Sequence, residues 1–229
     1  MVDRSNGHPP EYDRFIMAIA KHLFHRTPRL KRCHSGCNYC VILSFDDGTA
    51  DRVLKMANLN DWAVKIERYL YPAMRKYGLA VPEVEYSWED YPGPPVPFIV
   101  MPKFSDHTLL GLHQTDPNAG LSAFETSGLF IRELDNRFGE AFVQFVEERE
   151  LFGTLKLQQG AIDRIVDGAM NLSRVHEHES DLAQQIELHM ETLSRTRRKR
   201  LAHGVFRAHN ILANTNGDIC VVDFGESIG

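Results

Sequence analysis

Apolar residues recur every four positions in two stretches near the start of this chain, and short strand-like runs lie around them. Phe15, Ile19 and Leu23, with Ile16 and Phe24 beside them, predict an amphipathic helix over residues 11–26 that stops near Pro28. Trp62, Ile66, Leu70 and Met74 predict a second helix over residues 60–77, ended by Gly78. Between the helices, residues 30–45 read as strand with a break at Ser35-Gly36-Cys37-Asn38. Asp46-Asp47-Gly48 reads as a turn, and residues 51–57 as the returning strand, with Lys55 in it. Residues 81–87 and 97–101 read as further strands around a loop at 89–95 that proline and glycine make irregular. From about Ser105 the pattern turns helical. Segments 138–152, 161–179 and 182–196 are helical, the second carrying Ile162, Ile165, Ala169, Leu172 and Val175 at helical spacing.

The final stretch changes period again. In LAHGVFRAHNILANTNGDICVVDFG (201–225), two apolar runs, 210–212 and 219–222, flank Asn214, Asn216, Gly217 and Asp218. Such runs around an Asn-Gly turn predict a β-hairpin. The hairpin would bring Asn210 and Asp223 to one end, and an amide oxygen beside a carboxylate is a hard-oxygen pair suited to Mg²⁺.

Composition narrows the class. With 43% hydrophobic and 25% charged residues, the chain has enough apolar side chains for one large domain or two lobes. A net charge of −5 and a pI near 6.1 provide no basic field to draw nucleic acid or an anionic membrane. No apolar run approaches the ~20 residues of a membrane span, and residues 1–14 lack the apolar core of a signal peptide. These features predict a cytoplasmic protein with neither nucleic acid nor membrane as partner. The run 195–200, five basic residues in six positions, fits a nuclear-import or anion patch but better a solvated helix end.

Three motifs in order carry a family resemblance. His203-Gly204, then Asn210-Ile211-Leu212, then after the hairpin Asp223-Phe224-Gly225, resemble the catalytic and metal segment of the aminoglycoside phosphotransferase-like kinases, relatives of choline kinase and the protein kinases. The earlier order of strand, glycine turn, strand, strand with Lys55, helix with Glu67 and two more strands resembles the small lobe of such a kinase. The resemblance implies an α+β, protein kinase-like two-lobed fold: a small antiparallel sheet lobe over residues 1–104 and a mostly helical lobe over 105–229. Because the chain stops at Gly229, four residues after Gly225, it resembles a truncated member lacking the C-terminal part of the large lobe.

The same resemblance implies the site. ATP would lie under Gly36, where a glycine turn lets backbone N–H groups approach phosphate, with Lys55 on the phosphates and Glu67 holding Lys55. Met101 would be the gatekeeper, with the Pro102 carbonyl and the Phe104 N–H facing adenine. Asn210 and Asp223 would hold Mg²⁺, and His203 would shape its loop. Taken alone, Lys55 also fits an ordinary edge-strand lysine and Glu67 a helix-surface charge.

One position departs: the family's catalytic aspartate falls at Val205. Valine neither accepts a proton nor orients a hydroxyl. Losing a positioned base raises a barrier by about 3–5 kcal/mol. Arg207, two residues on, offers a guanidinium for the γ-phosphate. The expectation is a phosphotransferase-like protein acting on a small-molecule hydroxyl acceptor, weak or inactive through Val205. The alternative is a pseudokinase that binds nucleotide or a protein partner. A remoter alternative comes from Cys33-x-x-x-Cys37-x-Tyr39-Cys40, whose spacing resembles the [4Fe–4S] motif of radical S-adenosylmethionine enzymes. The plainer reading of these cysteines is three small thiols in a strand pair.

Overall fold

The structure, a computed structural model, describes residues 10–33, 38–57, 61–93, 96–138 and 206–224. Gly36, Cys37, His203, Gly204, Val205 and Gly225 lie outside the described residues, as do the basic run and nearly all of the three helical segments expected between 138 and 196. Two compact units divide the chain: Met1–Ile131 with Val205–Glu226, and Arg132–Gly204 with Ser227–Gly229. All that follows concerns the first.

Helix α1 spans Pro10–Phe24, with Glu11 and Asp13 in its first turn and Lys21 and His22 in its last, the charge order that suits a helix dipole. Strands β1 (Arg29–Arg32), β2 (Tyr39–Ser44), β3 (Arg52–Met56), β4 (Tyr86–Ser87) and β5 (Phe98–Pro102) form one antiparallel sheet in the order β1-β2-β3-β5-β4. The β2–β3 turn is the expected one. Gly48 takes φ +78 and the Asp47 carboxylate accepts the Thr49 N–H at 3.1 Å.

Alternation along these strands makes two different faces. Tyr39, Val41, Leu43, Leu54, Met56, Phe98 and Val100 pack with Ile16, Ile19 and Ala20 of α1 in one buried cluster. The intervening residues face the other way in two cross-strand rows: Cys40, Lys55 and Ile99, then Ile42, Val53 and Met101. Asp13 ties α1 to the sheet. Its carboxylate pairs with Arg32 and accepts the Tyr39 hydroxyl at 3.0 Å.

Helix α2 spans Asp61–Lys76 and ends in a Schellman motif. Gly78 at φ +74 bonds back to Arg75 at 2.9 Å, and Leu79 to Met74 at 3.3 Å. The segment after it differs from the expected strand 81–87, because only Tyr86–Ser87 pairs with β5. Pro82 has no N–H to give, and the Ala80 carbonyl accepts instead from Val221 at 2.8 Å.

A second antiparallel sheet joins β6 (His107–Thr108), β7 (Ile211–Ala213) and β8 (Ile219–Val221) in that order. The two-residue β6 interrupts a region expected to be helical from Ser105. Helix α3 (Leu109–Thr115) is capped by the Thr108 hydroxyl, which accepts the Gly111 N–H at 3.2 Å. Helix α4 (Pro117–Glu133) starts with proline in its first turn and the Asp116 carboxylate accepting the Ala119 N–H at 3.0 Å.

The β7–β8 turn is held by Asn214, whose side-chain oxygen accepts the N–H groups of Asn216 and Asp218, each at 3.0 Å. Gly217 closes it at φ +83, and a Cβ there would stand 2.6 Å from the Ser122 hydroxyl of α4. The hairpin therefore approaches α4 through a position where a side chain would force the Ser122 hydroxyl to move. Gly217→Ala is expected to cost about 1–2 kcal/mol from the left-handed backbone alone, and more from the clash. Urea denaturation measures this, and Ser122→Ala in that background should restore part of the loss.

Candidate functional site

The row Cys40–Lys55–Ile99 puts Lys55 on the sheet face opposite α1. Its side chain is only 8% exposed, so its charge needs partners. Helix α2 supplies one: Lys55 Nζ donates to Glu67 Oε1 at 2.7 Å, and Oε2 lies at the same distance, outside hydrogen-bonding geometry. The end of β8 supplies the other, with Asp223 Oδ1 accepting from Lys55 at 2.9 Å. Burial opposes the ammonium, but Glu67 first and then Asp223 outweigh it and raise the Lys55 pKa above its ordinary value. Burial also pushes the Glu67 carboxyl up, against the pull of Lys55.

Asp223 adopts φ +68, a left-handed conformation rare outside glycine. Its own N–H donates to the Tyr71 hydroxyl at 3.0 Å. Tyr71 sits one helical turn beyond Glu67 on α2, and its hydroxyl also steadies the Glu67 carboxylate. Its ring meets Phe224 edge-on at 6.0 Å, and Phe224 in turn meets Phe130 of α4 at 6.4 Å. Thus α2 holds the turn after β8 by a hydroxyl and by a ring. Sequence reasoning missed Tyr71. The only signal for it was its four-residue spacing from Glu67 on an otherwise apolar face.

At the hairpin's open end, the Val222 N–H donates to the Asn210 carbonyl at 2.9 Å, so the backbone sets Asn210 beside the residue that precedes Asp223. The Asp223 side chain is 45% exposed, and with Oδ1 on Lys55 its Oδ2 has no hydrogen-bond partner among the described residues. One open carboxylate oxygen, on a segment whose backbone is bonded to that of Asn210, fits a Mg²⁺ that takes its remaining ligands from phosphate and water. Among the described residues no group of three or more His, Cys, Asp or Glu gathers as a metal site.

Pro102 and Phe104 fall at the end of β5. The Lys103 N–H donates to the Asp51 carbonyl at 3.0 Å, which makes 51 and 103 a bonded pair. In an antiparallel ladder the residues on either side of such a pair turn their backbone groups the other way. The Pro102 carbonyl therefore points away from β3, on the edge where the Val100 carbonyl accepts from Glu85, and Phe104 follows just beyond the strand. Arg207 is exposed in the turn before β7, where its carbonyl accepts the Asn210 N–H at 2.8 Å. The structure thus brings Lys55, Glu67 and Asp223 into direct contact and sets Asn210 alongside.

The sequence matches no family model and no curated protein. Solved structures do match. A candidate aminoglycoside phosphotransferase from Ralstonia eutropha superposes over 94% of this chain and 65% of its own, at 15% identity and a TM-score of 0.56. Ethanolamine kinase of Plasmodium vivax does so over 99% and 66%, at 12% and 0.56. Spectinomycin phosphotransferase, solved with ADP and spectinomycin, covers 94% and 69%, at 10% and 0.52. The fold is that of the aminoglycoside phosphotransferase-like kinases. The chain spans about two thirds of the length of these structures.

Among the described residues the strand after the cysteine motif, β2, pairs with the antiparallel β3 and not with the βα series a radical S-adenosylmethionine enzyme would need. No helix among the described residues is long and apolar enough to cross a membrane.

Tyr71→Phe removes the acceptor of the Asp223 N–H while keeping the ring. The expected cost is about 1–3 kcal/mol for the unpaired amide, read by urea denaturation. Hydrogen exchange at Asp223 should quicken by more than the fall in global stability accounts for, whereas exchange in the α1 cluster should quicken by no more than that fall. Equal exchange at Asp223 in both proteins would mean that the hydroxyl does not hold this turn.

Proposed function

We propose that this chain binds a nucleoside triphosphate with Mg²⁺ on the sheet face opposite α1 and is a phosphotransferase-like protein impaired in turnover. The contact of Lys55 with both Glu67 and Asp223 carries this reading. A buried lysine aimed at the open end of an Asn/Asp hairpin is an arrangement that can neutralise phosphate oxygens and orient a metal. Half-buried Cys40, Ile42 and Val53 give an apolar surface beside Lys55 for a planar base. The Pro102 carbonyl, turned away from β3, and the Phe104 N–H would meet the edge of that base, and Gly36 would lie over the phosphates.

When bound, Mg²⁺ would neutralise phosphate charge, and Asp223 and Asn210 are the residues that would hold it. Lys55 binds and orients phosphate, Glu67 orients Lys55, and Tyr71 keeps the Asp223 carboxylate aimed. Arg207 offers a further cation for the transferred group. The acceptor class is a small-molecule hydroxyl, a reading supported by the names of the ethanolamine kinase and spectinomycin phosphotransferase neighbours.

Val205 favours a second reading, a nucleotide-binding or protein-binding module without turnover. Calorimetry with ATP and Mg²⁺ tests binding, and an ATPase or acceptor assay tests turnover. Wild type should bind, and Lys55→Met should weaken binding at least about tenfold, while costing roughly 3–5 kcal/mol of stability as Glu67 loses its partner. Val205→Asp should raise turnover by about 10²–10⁴. If Val205→Asp binds Mg-ATP and still transfers nothing, the enzyme reading fails and the module remains. If wild type binds no nucleotide, both fall.

A further inference from the structure

The function proposed above uses Cys40 only as apolar surface and gives the thiol chemistry of the 33–40 segment no part. The placement of Cys33 and Cys40 in the sheet is specific. Cys33 directly follows β1, and its N–H donates to the Cys40 carbonyl at 2.9 Å. The β1–β2 register, in which Arg32 pairs with Val41, therefore continues one step and sets Cys33 opposite Cys40. Residues opposite one another in an antiparallel ladder project to the same face. Cys40 is also opposite Lys55 on its other side. Both thiols thus lie on the sheet face that carries Lys55, at the two ends of the connection from β1 to β2, and both are free.

We propose that Cys33 and Cys40 are a reversible oxidation site: a two-electron oxidant of the hydroperoxide class joins them in a disulfide across the base of the β1–β2 connection, and the bridge weakens nucleotide binding beside Lys55. The second half of this proposal rests on the nucleotide reading of the cleft, whereas the first half does not.

The geometry permits the bond and makes it labile. A hydrogen-bonded antiparallel pair has Cα atoms about 5.5 Å apart, inside the roughly 4.4–6.8 Å span of disulfides. Its Cβ atoms, about 4.5–5.5 Å apart, are farther than the roughly 3.5–4.5 Å a disulfide prefers. The bridge would form under strain, and strained bridges are the easily reduced ones.

The chemistry balances. The Cys33 thiolate attacks the peroxide, an S–O bond forms as the O–O bond breaks, and the departing oxygen leaves as an alcohol or water with the thiol's proton. The Cys40 sulfur then attacks the sulfenic sulfur, an S–S bond forms, and hydroxide leaves as water with the Cys40 proton. The two thiols lose two electrons and the peroxide gains them. Burial raises the Cys33 thiol above its ordinary value, with Lys31 and Lys103 opposing that rise; Cys33 is raised less than Cys40, so it ionises more readily of the two and reacts first. Cys40, more strongly raised by burial, resolves.

Cys33 to Cys40 contains no Lys or Arg, so one tryptic fragment holds Cys33, Cys37 and Cys40. Cleavage after Tyr39 separates Cys40 from the other two. The full chain is treated with hydrogen peroxide, its remaining thiols are alkylated, and it is cleaved both ways for mass spectrometry. The expected result is two fragments joined by a bridge, two hydrogens lost, and the alkyl group on Cys37. Cys33→Ser should abolish the bridge. A bridge through Cys37, or none, overturns the site. Calorimetry with Mg-ATP should give about tenfold weaker binding after oxidation, within the usual size of coupled equilibria. Dithiothreitol should restore it, and peroxide should not alter binding by Cys33→Ser. Equal affinity in oxidised and reduced protein overturns the coupling. If reduced protein binds no Mg-ATP, the nucleotide reading and the coupling fail together, while the mass measurement still decides the bridge.

Discussion

One buried ammonium organises the described part of this molecule. Lys55 on β3 lies in the sheet's second face, where an unpaired charge would cost several kcal/mol of lost hydration. Two carboxylates offset that cost. Glu67 comes from α2, twelve residues on, and Asp223 from the end of β8, 168 residues away in sequence. Neither can reach Lys55 unless its element has docked. The ion pair is therefore less a source of net stability than a condition that only one arrangement of sheet, helix and hairpin satisfies. Tyr71 tightens the condition, because its hydroxyl serves Glu67 and the Asp223 backbone together.

The two faces of the five-stranded sheet divide the labour. The α1 face is closed by apolar packing and by the Asp13 contacts to Arg32 and Tyr39. The other face keeps a row of half-buried side chains around the lysine, and this asymmetry is what makes a ligand site conceivable there. On the function proposed, binding and chemistry separate within one cleft: the groups that would hold nucleotide and metal are present, while the position expected to carry the base is valine. Phosphoryl transfer relies mostly on positioning and charge neutralisation. Such a cleft can therefore keep its ligand after losing most of its rate.

Much of this was legible from residue order alone. The helices α1 and α2, the turns at Gly48 and Gly78 and the β7–β8 hairpin follow from period and from turn chemistry, which act over a few residues. Lys55, Glu67, Asn210 and Asp223 were legible because a motif order carries them. The segment 81–87 misled, since its apolar alternation says nothing of which neighbour will take its hydrogen bonds. Ala80 bonds to Val221 rather than extending the pairing with β5. The two-residue β6 was invisible for a similar reason: its partner β7 lies about a hundred residues on, and so short a strand has no period.

What the sequence determined by itself is the longer helices, the turns and the identity of the charged groups, because local sterics and hydrophobic period are written in consecutive residues. Tertiary structure alone decided which groups meet. Tyr71 became the hold on Asp223, and Cys33 came to face Cys40, only through strand register and helix docking. Those depend on the burial of whole surfaces, a property that no short stretch of residues possesses.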